Sequence, residues 1–201
     1  MTYDRDDGLV FVANRNDGSI TVIAADTGTV TATIKVADET GNVAYESSTR
    51  RVYAAARTPD ALVAIDPTSR TITRRIRLSD CDGAHGVYIE PQTHRVFIAC
   101  ERNARLVTVD LPRGTQTANA SVGKDPDVLA YDGSRQRLYV ASESGVVAVF
   151  ATSTTTPKKI GQGRVADAAH SVAVDQAARR VFFPLPGIGG HPVLRVMRPV
   201  G

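Results

Sequence analysis

The chain has 201 residues, 42% of them apolar and 22% charged, a balance that excludes a disordered segment as the default. No apolar run approaches the roughly 18 residues of a membrane-spanning helix, and no basic-then-apolar leader follows Met1. The net charge of +3 is scattered along the sequence, so a dedicated nucleic-acid surface is not expected.

Met1-Thr2-Tyr3 opens the chain inside what reads as a first strand, and Leu9 to Asn14 and Gly18 to Ile23 read as two more. Thr29 to Lys35 alternates apolar and polar residues, as does Thr71 to Arg77 in the next stretch. The third unit is the clearest. Val87-Tyr88-Ile89 is followed by a turn over Glu90 to His94, then by Arg95 to Cys100, a polar gap, and Arg105 to Asp110. A second turn at Leu111 to Gly114 leads into a weaker alternation over Thr115 to Val122. β-Branched residues fill the runs and Gly, Pro, Asp and Asn fill the gaps, which is the strand-and-turn pattern. No stretch carries apolar residues at helical spacing.

One segment recurs five times: Val10 to Ala13, Val52 to Ala55, Val96 to Ala99, Leu138 to Ala141 and Val181 to Pro184. Successive copies start 42, 44, 42 and 43 residues apart. A fixed period in this range marks a repeat architecture. These segments are apolar at consecutive positions, as in a strand covered on both faces. The fourth segments alternate with Thr, Lys and Arg, which suits an outer edge blunted by charge. The expectation is an all-β chain, a β-propeller of about five four-stranded blades with the first and last incomplete. It forms a single domain over 1–201, with repeats near 1–40, 41–83, 84–124, 125–167 and 168–201.

Leu9-Val10-Phe11-Val12-Ala13-Asn14, with Gly18-Ser19-Ile20-Thr21-Val22-Ile23 and Asp26-Thr27-Gly28-Thr29-Val30, closely resembles the YVTN-repeat (YncE-like) bacterial β-propellers. The resemblance covers essentially the whole chain and weakens in the fifth repeat, where Phe183-Pro184-Leu185-Pro186 departs from the pattern. It implies a binding or surface-associated propeller of about seven blades, so this chain is expected to be part of a larger propeller; a compact five-bladed ring with a three-stranded last blade is the alternative. It also implies a periplasmic or extracellular location; a chain complete as given, without a leader, would be cytoplasmic. Open edge strands at the two ends favour self-association by strand pairing.

Cys81 and Cys100 are the only cysteines. In a hairpin turning near Gln92 and Thr93, Cys100 falls opposite His85, and a loop folding back could bring Cys81 to it. Family members carry a pair at comparable places, so a disulfide and two free thiols stand as the two readings.

In a four-stranded blade, the loop entering the first strand and the loop joining the second and third open on one face. Asn42, His85, Asp127 and His170 recur at the entry position, 43, 42 and 43 residues apart. The other loops on this face add Arg15, Arg57, Arg102, Glu143 and His191. Arg and His around a concave mouth suit a small polar ligand or a protein partner, because guanidinium forks match carboxylate and phosphate. Polar entry residues can equally serve only to satisfy backbone groups. Two His residues two blades apart lack a third ligand, so no metal site is expected, and no cofactor is expected either. His94 falls on the opposite face and reads as solvated.

Catalytic residues are not expected. The chain has no Gly-x-Ser-x-Gly elbow and no His-Glu-x-x-His helix, and Gly187-Ile188-Gly189-Gly190 lacks the helix that a dinucleotide site requires. The leading expectation is a non-enzymatic binding or scaffold propeller. The alternatives are a lactonase- or lyase-like enzyme using His85 or His170 as acid or base, and a cell-surface structural repeat protein.

Overall fold

The computed structural model describes residues 1–199, so the final two residues of the fifth repeat lie outside the described residues. Nineteen strands form five antiparallel sheets among them, with no helix. Blade 1 comprises β1 (Thr2–Asp4), β2 (Leu9–Asn14), β3 (Ser19–Ala24) and β4 (Val30–Lys35). Blade 2 comprises β5 (Glu39–Glu46), β6 (Arg51–Arg57), β7 (Ala61–Asp66) and β8 (Thr71–Arg77). In blade 3 the strands are β9 (Ala84–Glu90), β10 (Arg95–Cys100), β11 (Arg105–Asp110) and β12 (Thr115–Ser121). Blade 4 holds β13 (Pro126–Asp132), β14 (Arg137–Ser142), β15 (Val146–Ala151) and β16 (Lys158–Arg164). Blade 5 has three strands, β17 (Ala173–Asp175), β18 (Arg180–Ile188) and β19 (His191–Met197).

Each sheet runs in simple sequence order, and the first strands of successive blades neighbour one another: β1 with β5, β5 with β9, β9 with β13 and β13 with β17. First strands therefore line the inside and fourth strands the rim. Blade 1 has all four strands rather than being incomplete, although β1 has only three residues. The second repeat begins earlier than its spacing suggests, since β5 starts at Glu39.

The core is a set of layers between blades. On β10, Val96, Ile98 and Cys100 pack toward blade 2, while Phe97 and Ala99 pack toward blade 4. On β6, Val52, Ala54 and Ala56 face blade 1, and Tyr53 and Ala55 face blade 3. Successive side chains of a strand point to opposite faces, so a strand sandwiched between two neighbours must be apolar at every position. That is the physical origin of the fivefold apolar segment. The rim strands stitch blades with long side chains. Arg74 reaches the Arg113 carbonyl in blade 3 (3.0 Å), and Arg75 reaches the Val36 carbonyl beside blade 1 (2.7 Å).

The turn leaving each first strand is built alike five times. An acid ends the strand (Asp4, Glu46, Glu90, Asp132, Asp175), and four of these acids are buried. Asp4 accepts from the Asp6 amide (3.0 Å), Glu46 from Thr49 (2.7 Å), Asp132 from Arg135 (3.2 Å) and Asp175 from Ala178 (2.9 Å). Glu90 instead accepts from the Thr93 hydroxyl and from Arg95. Such side-chain-to-amide bonds mimic a backbone turn. One residue before the next strand then takes a left-handed conformation, at Gly8, Arg50, His94, Gln136 and Arg179. His94 is not simply solvated: its Nδ1 lies 3.3 Å from Ser48 Oγ and 3.5 Å from the buried Glu46 Oε1 of blade 2.

Candidate functional site

The face opposite these turns carries the entry loops and the second turn of each blade. Two polar clusters sit there. The first runs through the entry positions. Asp127, at the second position of β13, lies between two imidazoles: His85 Nε2 is 3.0 Å from its Oδ1, and His170 Nδ1 is 2.7 Å from its Oδ2. Glu143, in the turn between β14 and β15, brings Oε1 to 3.5 Å from the same His170 nitrogen. Burial pushes the Asp127 carboxyl up, but hydrogen bonds from His85 and His170 outweigh it and hold the group below the usual carboxylate range.

Local backbone explains the placement. The Val128 amide donates to the His170 carbonyl (3.2 Å), tying the entry loop of blade 5 to β13, and Ala169 and Val172 anchor that loop in the core between blades 4 and 5. Gly86 lets β9 approach β13 closely, since a Cβ there would collide with the Asp127 carbonyl oxygen. A Cβ at Gly41 would lie 2.6 Å from the His85 backbone. His85 Nδ1 is buried without a hydrogen-bond partner among the described residues. With Nε2 3.0 Å from a carboxylate oxygen, the ring donates from Nε2 to Asp127.

The second cluster brings Arg15, Arg57 and Arg102 together as their spacing suggests, but with carboxylates between them. Arg57, 2% exposed, places Nη1 2.6 Å from Glu101 Oε2 and Nε 3.3 Å from Glu39 Oε2. Arg15 reaches across from blade 1 to the same Glu101 oxygen (2.8 Å). Arg102 faces Asp82 (3.4 Å) and Glu39 (3.7 Å). Burial raises the Glu101 carboxyl, yet the hydrogen bond and charge of Arg57, then of Arg15, hold it below its ordinary value. Arg15, Arg57, Arg102, Glu39 and Glu101, with Asn16 and Asp125, line an open depression of about 590 Å³. The depression thus offers both signs of charge rather than a bare cationic ring.

Asn42 does not share the entry position of His85: the registers of β5 and β9 align Thr40 with Ala84 and Val43 with Val87, so Gly41 is the equivalent of His85 and Asn42 lies one residue further on. Asn42 is half-buried, and no hydrogen bond or ion pair joins it to either cluster among the described residues. His191 is exposed at the start of β19, and no hydrogen bond or ion pair links it to His170 among those residues. Glu39 and Asp82 were not singled out by the sequence; their sign emerges only once blades 1, 2 and 3 are adjacent. Cys81 and Cys100 are bridged, with Cα atoms 5.3 Å apart. Cys100 pairs with Ala84 rather than His85, because the register of β9 and β10 shifts between Ile98 and Cys100.

No protein-family model matches the chain, and no curated protein matches its sequence. Among solved structures, the chain is similar to one chain in the crystal structure of the mitotic checkpoint complex, with a TM-score of 0.77 at 10% identity. The match covers 90% of this chain and 56% of that one, so this chain spans little more than half of its length. At this identity the likeness shows the fold alone. Five radially arranged antiparallel sheets together with this match establish the fold as an all-β propeller.

Proposed function

We propose that this protein is a YVTN-type binding propeller whose loop-rich face takes a small polar ligand or a protein segment carrying charge of both signs. The observation that carries this reading is the Arg15–Glu101–Arg57–Glu39–Arg102 network around an open depression. Arg15 and Arg102 keep 47% and 43% of their side chains exposed, so their remaining donors are free to meet a partner. The YVTN assignment rests on the residues of the first repeat. The Cys81–Cys100 bridge supports an oxidising compartment, periplasmic or extracellular. The test is a thermal-shift and calorimetric titration with citrate, phosphate, arginine and a Lys-Glu peptide. At least one probe should stabilise the wild type, by about 2.7 kcal/mol at a hundredfold excess over Kd, and R15A/R102A should lose that gain. No shift with any probe, or an equal shift in the variant, would contradict the reading.

Two observations favour second readings. Asp127 bridging two imidazoles is an arrangement that acid–base chemistry uses, which supports the lactonase- or lyase-like alternative. Lactone hydrolysis that vanishes in a folded H85A/H170A variant would establish it, and its absence in the wild type would remove it. Self-association, or a surface structural role, is supported by β19, an edge strand exposing Leu194 (59%) and Val196 (47%). Size-exclusion chromatography with light scattering should then show oligomers that L194K/V196K converts to monomers; a monomeric wild type would sink it.

A further inference from the structure

The sequence alone offers two histidines two blades apart and no third ligand. The fold changes the inventory at that place. Asp127, Glu143 and His170 each bring one ligand atom to within 4.8 Å of the others, drawn from β13, the β14–β15 turn and the entry loop of blade 5. We propose that these three groups bind a divalent first-row transition cation on the face of the entry loops, independently of the Arg–Glu depression.

Three observations carry this. First, one imidazole nitrogen is shared by two carboxylates, at 2.7 Å from Asp127 and 3.5 Å from Glu143. A single proton on Nδ1 serves one of them well and leaves the other facing a like charge. A dication in the proton's place serves all three donors at about 2.0–2.2 Å. Second, neither carboxylate has a Lys or Arg partner among the described residues, in contrast to Glu39 and Glu101 a short way along the same face. Third, the second oxygen of Asp127 is already held by His85 Nε2 (3.0 Å), a ring that is only 14% exposed. Outer-shell hydrogen bonds of this kind orient ligating carboxylates and leave the free oxygen aimed at the metal.

The donor set decides the ion. Two carboxylate oxygens and one imidazole suit Zn²⁺, Mn²⁺ or Fe²⁺, whereas an all-oxygen set would suit Mg²⁺ or Ca²⁺. Glu143 and His170 are 48% and 39% exposed, so the remaining coordination positions would be open to water or to an anionic ligand.

The test uses tag-free, chelator-treated protein titrated with ZnCl₂ by calorimetry and with CoCl₂ by visible absorption. The wild type should bind one ion per chain, with a Co²⁺ d–d band that Zn²⁺ displaces and with Mg²⁺ at least tenfold weaker. E143Q should weaken Zn²⁺ at least tenfold and H170A should abolish binding, while H94A on the opposite face leaves it unchanged. Both site variants change half-exposed side chains, and circular dichroism checks that each retains the wild-type β spectrum. Absence of stoichiometric Zn²⁺ binding, binding unaffected in H170A and E143Q, or Mg²⁺ binding as tight as Zn²⁺ would each overturn the proposal.

Discussion

Arg57 shows what burial does to a residue type that sequence reading treats as a free binding group. Its guanidinium is 2% exposed and sits between Glu101 and Glu39, so removing it leaves two carboxylates facing each other. R57A should therefore cost about 3 kcal/mol of stability by denaturant unfolding, as for other broken buried pairs. R15A, on an exposed side chain meeting the same Glu101, should cost less than about 1 kcal/mol. Acid sensitivity follows from the same geometry. Glu46, Glu101, Asp127 and Asp132 are all held below their ordinary values, because donors from hydroxyls, amides, Arg or His outweigh burial. A depressed carboxylate contributes stability that is present above its unfolded pKa and lost as pH falls through the folded one. Stability should thus hold down to about pH 4 and decline below it. Unfolding midpoints measured from pH 6 to pH 2 check this, and E101Q should make the decline shallower.

At the scale of strands and turns, the parts carried by local pattern were legible and the parts carried by cross-blade contact were not. The second strands announced themselves because burial on both faces demands apolar residues at every position, as on β10. The entry residues His85, Asp127 and His170 shared a phase, and the fold brings them into one chain of contacts. The pairing of Arg15 with Glu101 spans 86 positions and two blade boundaries, so no local pattern encodes it. The bulge between Ile98 and Cys100 likewise leaves no sequence mark, and it moved the partner of Cys100 from His85 to Ala84. The Cys81–Cys100 bridge closes a loop with a sequence separation of 19. C81A/C100A should lose roughly 3 kcal/mol by the loop-closure argument. Equal unfolding midpoints for that variant and the wild type would show that the bridge adds nothing. Gly86→Ala should be worse than a surface change, because its Cβ would drive β9 off β13 at the Asp127 carbonyl.

Across the whole molecule, stability comes from four apolar layers between five blades rather than from one central core. Each layer joins neighbours only, and Phe97 is fully buried in the layer between blades 3 and 4. Phe97→Ala should cost about 3–5 kcal/mol by denaturant unfolding. This layering leaves one face for structural turns, where buried acids close four of the five first strands, and the other for loops with charges of both signs. The division of labour between faces is the core of the functional reading. Hydrogen–deuterium exchange with and without the stabilising probe (citrate, phosphate, arginine or the Lys-Glu peptide) tests it most directly. Protection confined to residues 14–18, 39–42, 82–86, 101–104 and 125–127 is the predicted result. Protection centred on the opposite turns at 5–8, 47–50, 91–94 and 133–136, or none at all, would contradict it.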